Sequence, residues 1–333
     1  MNDQTILITG GTGFAGSHLV EELLARGFSK IFVTSYGSPE TFVHTLLPAE
    51  QIVTVDLTNQ DATFDLIKNI QPTWVFHLAS IATTGTSFGK AATIFQNNIG
   101  LQLNLLEAIK VHALKARVLV VGSGMEYGMT KYEDIQLSSN AHLDELQYPE
   151  IDEEAPLNPT NPYAVSKVAQ DLLGLSYVFS YQLDVVRVRP FNHIGERQTT
   201  DFAIPSFASQ IAKIEKGEQD KISVGSLEAV RDFTDVKDIV KAYILLLEKG
   251  QKGEVYNVGS GKGYRMQAIL AKMCSLAKVP IVIETDQSRY RPVDVPVAVA
   301  NTKKIKAIGW IPSIALDQTL ERVLNEWREK VNN

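Results

Sequence analysis

Tyr163 and Lys167 stand four residues apart in the run "NPTNPYAVSKVAQDLL". On a helix that spacing puts both side chains on one face, roughly 6 Å apart. Pro162 occupies a place that a first helical turn favours. A tyrosine is a poor acid or base at its ordinary value of about 10. A neighbouring ammonium would lower that value and bring proton exchange within reach. Taken alone, the spacing also suits an ordinary helical pair. Upstream, "VVGSGMEYG" closes an apolar run, and the hydroxyl of Ser123 there suits a hydrogen bond to a substrate carbonyl.

A second constellation opens the chain. "ITGGTGFAGSHL" (8–19) reads Gly10-x-x-Gly13-x-x-Gly16 between a strand-like run and a helix-like one. The first glycine allows a tight turn. The second lets backbone approach a pyrophosphate, and the third lets helix and strand pack closely. The helix start then turns free N–H groups and a positive dipole end on the phosphates. This context predicts a dinucleotide site, with a merely structural glycine turn as the alternative. Phe14 and Ala15 belong to the same expected cradle.

The end of the second strand, "VTSYGS", should choose the cofactor. It offers Thr34, Ser35 and Tyr36, and no acid to take the adenine-ribose hydroxyls of NAD. The expectation is NADP, with NAD as the alternative. Asp56 and Leu57, after the third strand, would lie near the adenine, although Asp56 also reads as a helix N-cap. Leu78, Ala79 and Ser80, at the end of the fourth strand, and Asn97 complete the expected cofactor contacts.

These residues need a scaffold. "TILIT" (5–9), "IFVTS" (31–35), "IVTVD" (52–56), "WVFHLA" (74–79) and "RVLVVG" (117–122) are rich in β-branched residues, and helical patterns lie between them. Strands alternating with helices predict a doubly wound parallel α/β sheet of the Rossmann type. "DVVRVRP" (184–190) and "VYNVG" (255–259) extend it. The expected dinucleotide domain is 1–190 plus 233–262. A smaller discontinuous α/β lobe, 191–232 plus 263–333, would cap the carboxyl ends of the strands, where such sheets bind ligands. The polar, acidic stretch 129–161 reads as a surface excursion, partly flexible.

The bulk properties narrow the class. The chain has 333 residues, a net charge of −6, and 44% hydrophobic and 21% charged residues. Those values suit a soluble globular protein, and without a basic stripe nucleic acid is not an expected partner. No apolar run approaches a membrane span and no signal peptide is visible, so a cytoplasmic protein is expected. The single cysteine, Cys274, excludes an internal disulfide and reads as a small apolar core residue. His77 and His193 read as packed structure. No His/Cys/carboxylate spacing suggests a metal.

The glycine loop, Ser123, Tyr163 and Lys167 together resemble the extended short-chain dehydrogenase/reductase family, over essentially the whole chain. The resemblance implies hydride transfer between a nicotinamide and a sugar carbon. It implies that Tyr163 exchanges the proton, aided by the nicotinamide cation, that Lys167 binds the nicotinamide ribose, and that Ser123 orients the oxygen. It also implies a homodimer built on helices 90–112 and 162–180. Their apolar stripes would otherwise only face the sheet.

"RPFNHIG" (189–195), "GSLEAVRDFTDV" (225–236) and "RYRPVDVP" (289–296) resemble GDP-mannose-derived members of that family. By that resemblance Asn192, Arg231 and Arg291 contact the diphosphate and Asp294 holds the ribose. Gly124 and Met125 lie against the sugar beside Ser123. The implied reaction reduces the C4 keto group of a GDP-4-keto-6-deoxyhexose. The residues leave alternatives: an Arg231–Asp232 ion pair, an Arg291–Asp294 surface pair, and Asn192 as a turn cap. Dehydratases of the family carry a glutamate two positions after the serine. Here that position is Met125, which removes no proton, and Glu126 on an extended segment would point away. A C4 epimerase retaining NAD and a dinucleotide sensor without chemistry are the other readings. Segment 129–155 is longer than in similar reductases and would lie beside the site.

Overall fold

Runs of Ile, Val and Leu that pair on both edges must bury both faces, and here they form the centre of the molecule. The computed structural model describes residues 3–37, 41–82, 87–129, 148–290 and 295–332. Its first half alternates β1 (Ile6–Thr9), α1 (Phe14–Ala25), β2 (Ile31–Ser35), β3 (Ile52–Thr54), α2 (Gln60–Ile70), β4 (Trp74–His77), α3 (Ala91–His112), β5 (Arg117–Val121), α4 (Pro162–Tyr181) and β6 (Asp184–Pro190). The chain then leaves through β7 (Asn192–Ile194), α5 (Ala203–Lys216), β8 (Lys221–Val224) and β9 (Val230–Asp235). It returns by α6 (Val236–Lys249) to β10 (Val255–Val258). It ends with β11 (Gly263–Arg265), α7 (Met266–Ser275), β12 (Val282–Thr285), β13 (Val297–Ala298), α8 (Lys303–Ala307) and α9 (Leu316–Asn332).

The main sheet has the order β10-β6-β5-β4-β1-β2-β3. All its pairs are parallel. The strand order reverses between β1 and β4, which is where a doubly wound sheet opens a crevice. This is the expected Rossmann-type α/β fold. One face is covered by α1 and α6 through Leu19, Leu23, Ile239 and Tyr243, joined by Ile305 and Trp310 from the C-terminal segment. The other is covered by α2, α3 and α4 through Leu66, Ile67, Leu105, Ile109 and Tyr177. Each such side chain contributes about 1.5–3 kcal/mol on burial. A separate core joins α5, α7 and α9 through Phe207, Ile211, Met273 and Leu320, with half-buried Cys274 packed against it.

Local signals explain the helix that carries Tyr163 and Lys167. Asn161 caps α4 by accepting the Ala164 N–H at 2.9 Å, and Pro162 takes the first turn.

The stretch after β5 departs from its sequence reading. Residues 130–147 lie outside the described residues. The remainder runs partly exposed along the surface but is tied down at Ile151 and Glu153. Ile151 is buried and bridges Ala300, donating to the Val299 carbonyl and accepting from Asn301. Glu153 accepts the Asn257 N–H at 2.8 Å, and the Asn257 side chain donates to the Ile151 carbonyl at 2.9 Å. The partners of Ile151 and Glu153 come from 299–301 and 257, distant segments that no local pattern announces.

Under the carboxyl edge of the sheet lies a buried ionic layer. Asp171 of α4 accepts from Arg187 at 3.0 Å and from Arg189 at 2.6 Å. Arg189 also pairs with Glu126 at 3.0 Å and donates to the Tyr127 hydroxyl at 2.9 Å. Replacing Asp171 by Leu leaves both guanidiniums short of a counter-ion. Losing one partner of a buried pair costs about 3–5 kcal/mol. Urea unfolding of Asp171→Leu should show a loss of that size; an unchanged midpoint would deny the layer a stabilising role.

Candidate active site

A cleft of about 920 Å³ runs along the carboxyl ends of the main-sheet strands, beneath the segment that carries α5, β8 and β9. The glycine loop forms one wall. Gly10 has φ +68°, and a Cβ there would lie 2.9 Å from the Ala79 Cα. Its N–H donates to the Thr34 hydroxyl at 3.0 Å. A Cβ at Gly16 would meet the Gly10 carbonyl at 2.5 Å and the Gly11 Cα at 2.6 Å, so this glycine lets α1 lie against the loop that leaves β1. At Gly13 only the Gly10 carbonyl is near, at 3.2 Å. The first turn of α1 has no side-chain cap and no acidic residue. Its N–H groups and dipole end are available to an anion. This cradle fits the pyrophosphate of a dinucleotide.

The rest of the expected cofactor wall is present in the same cleft. Phe14 and Ala15 line it beside the loop, and Thr34, Ser35, Tyr36, Asp56 and Leu57 line its far end. Thr34 and Ser35 are buried, while Tyr36 is 75% exposed. Asp56 does not cap α2. It accepts the Thr58 N–H at 2.9 Å and hydroxyl at 2.7 Å, and Asn59 caps the helix through the Ala62 N–H. Leu78, Ala79, Ser80 and Asn97 form the opposite side. His77 lies below them, buried against the Thr9 hydroxyl at 2.8 Å, and burial drives its imidazole down to about 3.

Ser123, Tyr163 and Lys167 meet in the middle of the cleft. Ser123 follows β5 and starts a tight 3₁₀ turn, Gly124–Tyr127, not an extended segment. The turn forms because Ser123 accepts the Met125 N–H at 3.1 Å while Glu126 accepts the Ser123 N–H at 2.7 Å. Met125 and Gly124 line the cleft. A Cβ at Gly124 would lie 2.9 Å from the Phe191 ring. Glu126 is fully buried in the layer below.

Tyr163 is buried at the start of α4. Burial pushes its phenol up to about 12, a hydrogen bond with Ser123 pulls it down, and Glu126 pushes it up. The lowering expected from the neighbouring ammonium is thus absent from the free protein. The cost of burying a phenolate dominates instead. The phenol is held protonated at neutral pH, the state that donates a proton. Lys167 donates to the Val121 carbonyl at 2.9 Å and lies 5.9 Å from the centre of the Tyr163 ring. Burial brings its ammonium down to about 8, against an opposing pull from Glu126.

On the opposite wall, Asn192 is exposed on β7 and Arg231 is buried on β9, and both line the cleft. Arg231 donates to the carbonyls of Val230 at 2.8 Å and Val295 at 2.6 Å. The carboxylate of Asp232 is taken by the N–H groups of Ser260, Gly261 and Ala300, so the Arg231–Asp232 ion pair is not formed. His193 packs by stacking on Phe14, with ring centres 5.8 Å apart. Arg291 and Asp294 lie outside the described residues. Arg289, from the same "RYRPVDVP" run, lines the cleft instead, as do Gln198, Phe207 and Ser223. Arg289 could have been found from its run. The other three reach the cleft only through folding of the smaller segment, and no local pattern marks them.

Gly16→Ala places a methyl group against the backbone of Gly10 and Gly11. Dinucleotide binding, followed by fluorescence titration, should weaken at least about tenfold, or ~1.4 kcal/mol. Unchanged affinity would show that the loop tolerates displacement.

The family profile described as GDP-mannose 4,6 dehydratase matches residues 7–323. The chain is 33% identical over 333 residues to GDP-6-deoxy-D-mannose reductase of Pseudomonas aeruginosa, covering 98% of both chains. The solved structure of RMD from P. aeruginosa complexed with NADPH superposes with a TM-score of 0.80 at 30% identity, covering 98% of this chain and 99% of that one. Thermus thermophilus UDP-glucose 4-epimerase with NAD gives 0.83 at 26% identity, covering 97% and 98%. By the extent of that match and by its glycine loop and Ser–Tyr–Lys set, this chain belongs to the GDP-mannose 4,6-dehydratase family, within the extended short-chain dehydrogenases/reductases.

Proposed function

We propose that this protein reduces the C4 keto group of a GDP-4-keto-6-deoxyhexose, GDP-4-dehydro-6-deoxy-D-mannose, to GDP-D-rhamnose or its C4 epimer, with NADPH as the reductant and NAD(H) as the alternative nucleotide. One observation carries the reading. A complete Ser123–Tyr163–Lys167 set faces a dinucleotide cleft in which the neighbouring position, Met125, has no group to remove a carbon-bound proton.

Bound NADPH supplies a hydride to C4. The chain's residues do the rest. Ser123 donates a hydrogen bond to the carbonyl oxygen as charge develops on it. Tyr163 gives that oxygen its proton. Lys167 supports the resulting phenolate with its ammonium and holds the nicotinamide ribose. Asn192, Arg231 and Arg291 take the diphosphate, whose charge suits forked guanidinium donors. Asp294 takes the ribose hydroxyls. Dehydration is disfavoured because Glu126, the one carboxylate near Ser123 in sequence, is committed to the Ser123 N–H and Arg189.

The proposal extends to assembly and place. A dinucleotide domain of 1–190 plus 233–262 and a sugar lobe of 191–232 plus 263–333 suit the two separate cores, with Ile305 and Trp310 of the second packed on the first. Leu103, Val165, Leu172 and Phe179 are exposed on α3 and α4, and they support a homodimer that buries those helices. The half-buried thiol of Cys274 suits a reducing cytoplasm, and among the described residues no helix is long and apolar enough to cross a membrane.

The test is loss of NADPH absorbance with GDP-4-keto-6-deoxymannose, against the dTDP-linked analogue. Turnover should be confined to the GDP sugar. Tyr163→Phe should lower kcat by ~10²–10⁴-fold, with NADPH affinity held within about twofold. The rate should also fall as pH rises through about 8, where Lys167 loses its proton. No oxidation with either sugar would overturn the reading. Tightly retained NAD, with epimerisation of an unmodified nucleotide sugar, would replace it with 4-epimerisation.

A further inference from the structure

Glu126 is the carboxylate that the proposed reaction leaves unused, yet it is completely buried beside the reacting residues. Its two oxygens have separate tasks. Oε1 accepts the Ser123 N–H at 2.7 Å, and Oε2 pairs with the Arg189 guanidinium at 3.0 Å. The contact is tight on the strand side too: a Cβ at Gly122 would fall 2.2 Å from Oε1. The charged and titratable groups facing it come from three elements. α4 supplies Tyr163, Lys167 and Asp171; β6 supplies Arg189, with Arg187 behind Asp171; and the 3₁₀ turn supplies the Tyr127 hydroxyl beside Arg189.

We infer that Glu126 is a positioning residue for the reduction: anchored by Arg189, its carboxylate clamps the Ser123 peptide and sets the charge state of the Lys167–Tyr163 pair. The inference rests on the reductase reading for its kinetic part and on the fold for the rest. Geometry carries it. Ser123 has to hold its hydroxyl toward both Tyr163 and a substrate oxygen, and its backbone N–H is fixed by a side chain that the sheet and α4 lock in place. The electrostatics agree in sign. Burial and Asp171 push the Glu126 carboxyl up to about 8, against the pull of Arg189. It is therefore ionised on the alkaline side, where Lys167 loses its proton. There its negative charge raises the values of both the ammonium and the phenol. Removing the charge lowers both, so the active protonation state ends at a lower pH.

Two variants separate clamp from charge. Glu126→Gln keeps an acceptor for the Ser123 N–H and removes the charge. Glu126→Asp keeps the charge and draws the acceptor back. Each is compared with the wild-type protein in the pH profile of kcat and in the pH dependence of NADPH affinity, measured by fluorescence without sugar. In Glu126→Gln the alkaline limb of both profiles should move down by about one pH unit, with KM for the sugar within about twofold. In Glu126→Asp the limb should stay in place while kcat falls at least about fivefold. Limbs that coincide in wild type and Glu126→Gln, or that move equally in both variants, would overturn the inference. Should Glu126→Gln not fold, a displaced limb in Glu126→Asp overturns it. If the wild-type protein reduces no sugar, the reductase reading fails alone, and the NADPH-binding limbs still decide the role of Glu126 in setting the charge of Lys167.

Discussion

A buried guanidinium is among the costliest groups a fold can contain, and Arg189 is only 4% exposed. Leaving such an ion without partners costs several kcal/mol, roughly, even after relaxation. Its partners come from every part of the site. Asp171 comes from α4, Glu126 and Tyr127 from the turn after β5, and the Glu153 carbonyl from the segment that follows. The Tyr127 ring adds a face 5.0 Å from the guanidinium. Asp171 is one helical turn beyond Lys167, and Glu126 is three residues beyond Ser123. Satisfying Arg189 therefore fixes the relative position of the two elements that carry the chemistry. It also ties the partly exposed, acidic segment at 153 to the layer through the Glu153 carbonyl.

The chemistry above this layer is governed by desolvation. Water is excluded from Tyr163 and Lys167, so the neutral form of each is favoured. For the phenol the neutral form is the acid a ketone reduction needs. For the lysine it is the wrong form, and Glu126 partly offsets the penalty. The glycine loop solves a different problem. Its backbone must come close to the phosphates while packing on the end of β4 and on itself, which side chains at Gly10 and Gly16 would prevent.

The same scaffold serves relatives named as reductase, epimerase and dehydratase. Scaffold alone therefore does not choose a reaction. The choice lies in a few positions at the carboxyl edge. Methionine at 125 takes away proton abstraction from carbon, and the capping geometry of the turn directs Glu126 inward, toward Arg189, not outward to substrate. What remains is a set that can orient an oxygen and give it a proton.

Much of this was legible in order along the chain. The β-branched runs, the Gly10-x-x-Gly13-x-x-Gly16 spacing, the Tyr163–Lys167 interval and the proline at the start of α4 are local patterns with local physical causes. They were sufficient for the strands, for the doubly wound class and for the glycine loop and Ser–Tyr–Lys set that face the cleft, but not for Gln198, Phe207 or Ser223. Ionisation was not legible, because burial is a property of the whole fold: the phenol expected to be lowered is raised. Nor were partners across long separations. Asp232 found Ser260, Gly261 and Ala300 where sequence offered its neighbour Arg231, and Asp56 ceded its cap to Asn59. The sequence by itself determined which residue types line the site and in what order they arrive. Only the tertiary structure decided which of them are stripped of water and which charges face each other, because those depend on contacts between separate segments, such as Arg189 with Asp171 and with Tyr127.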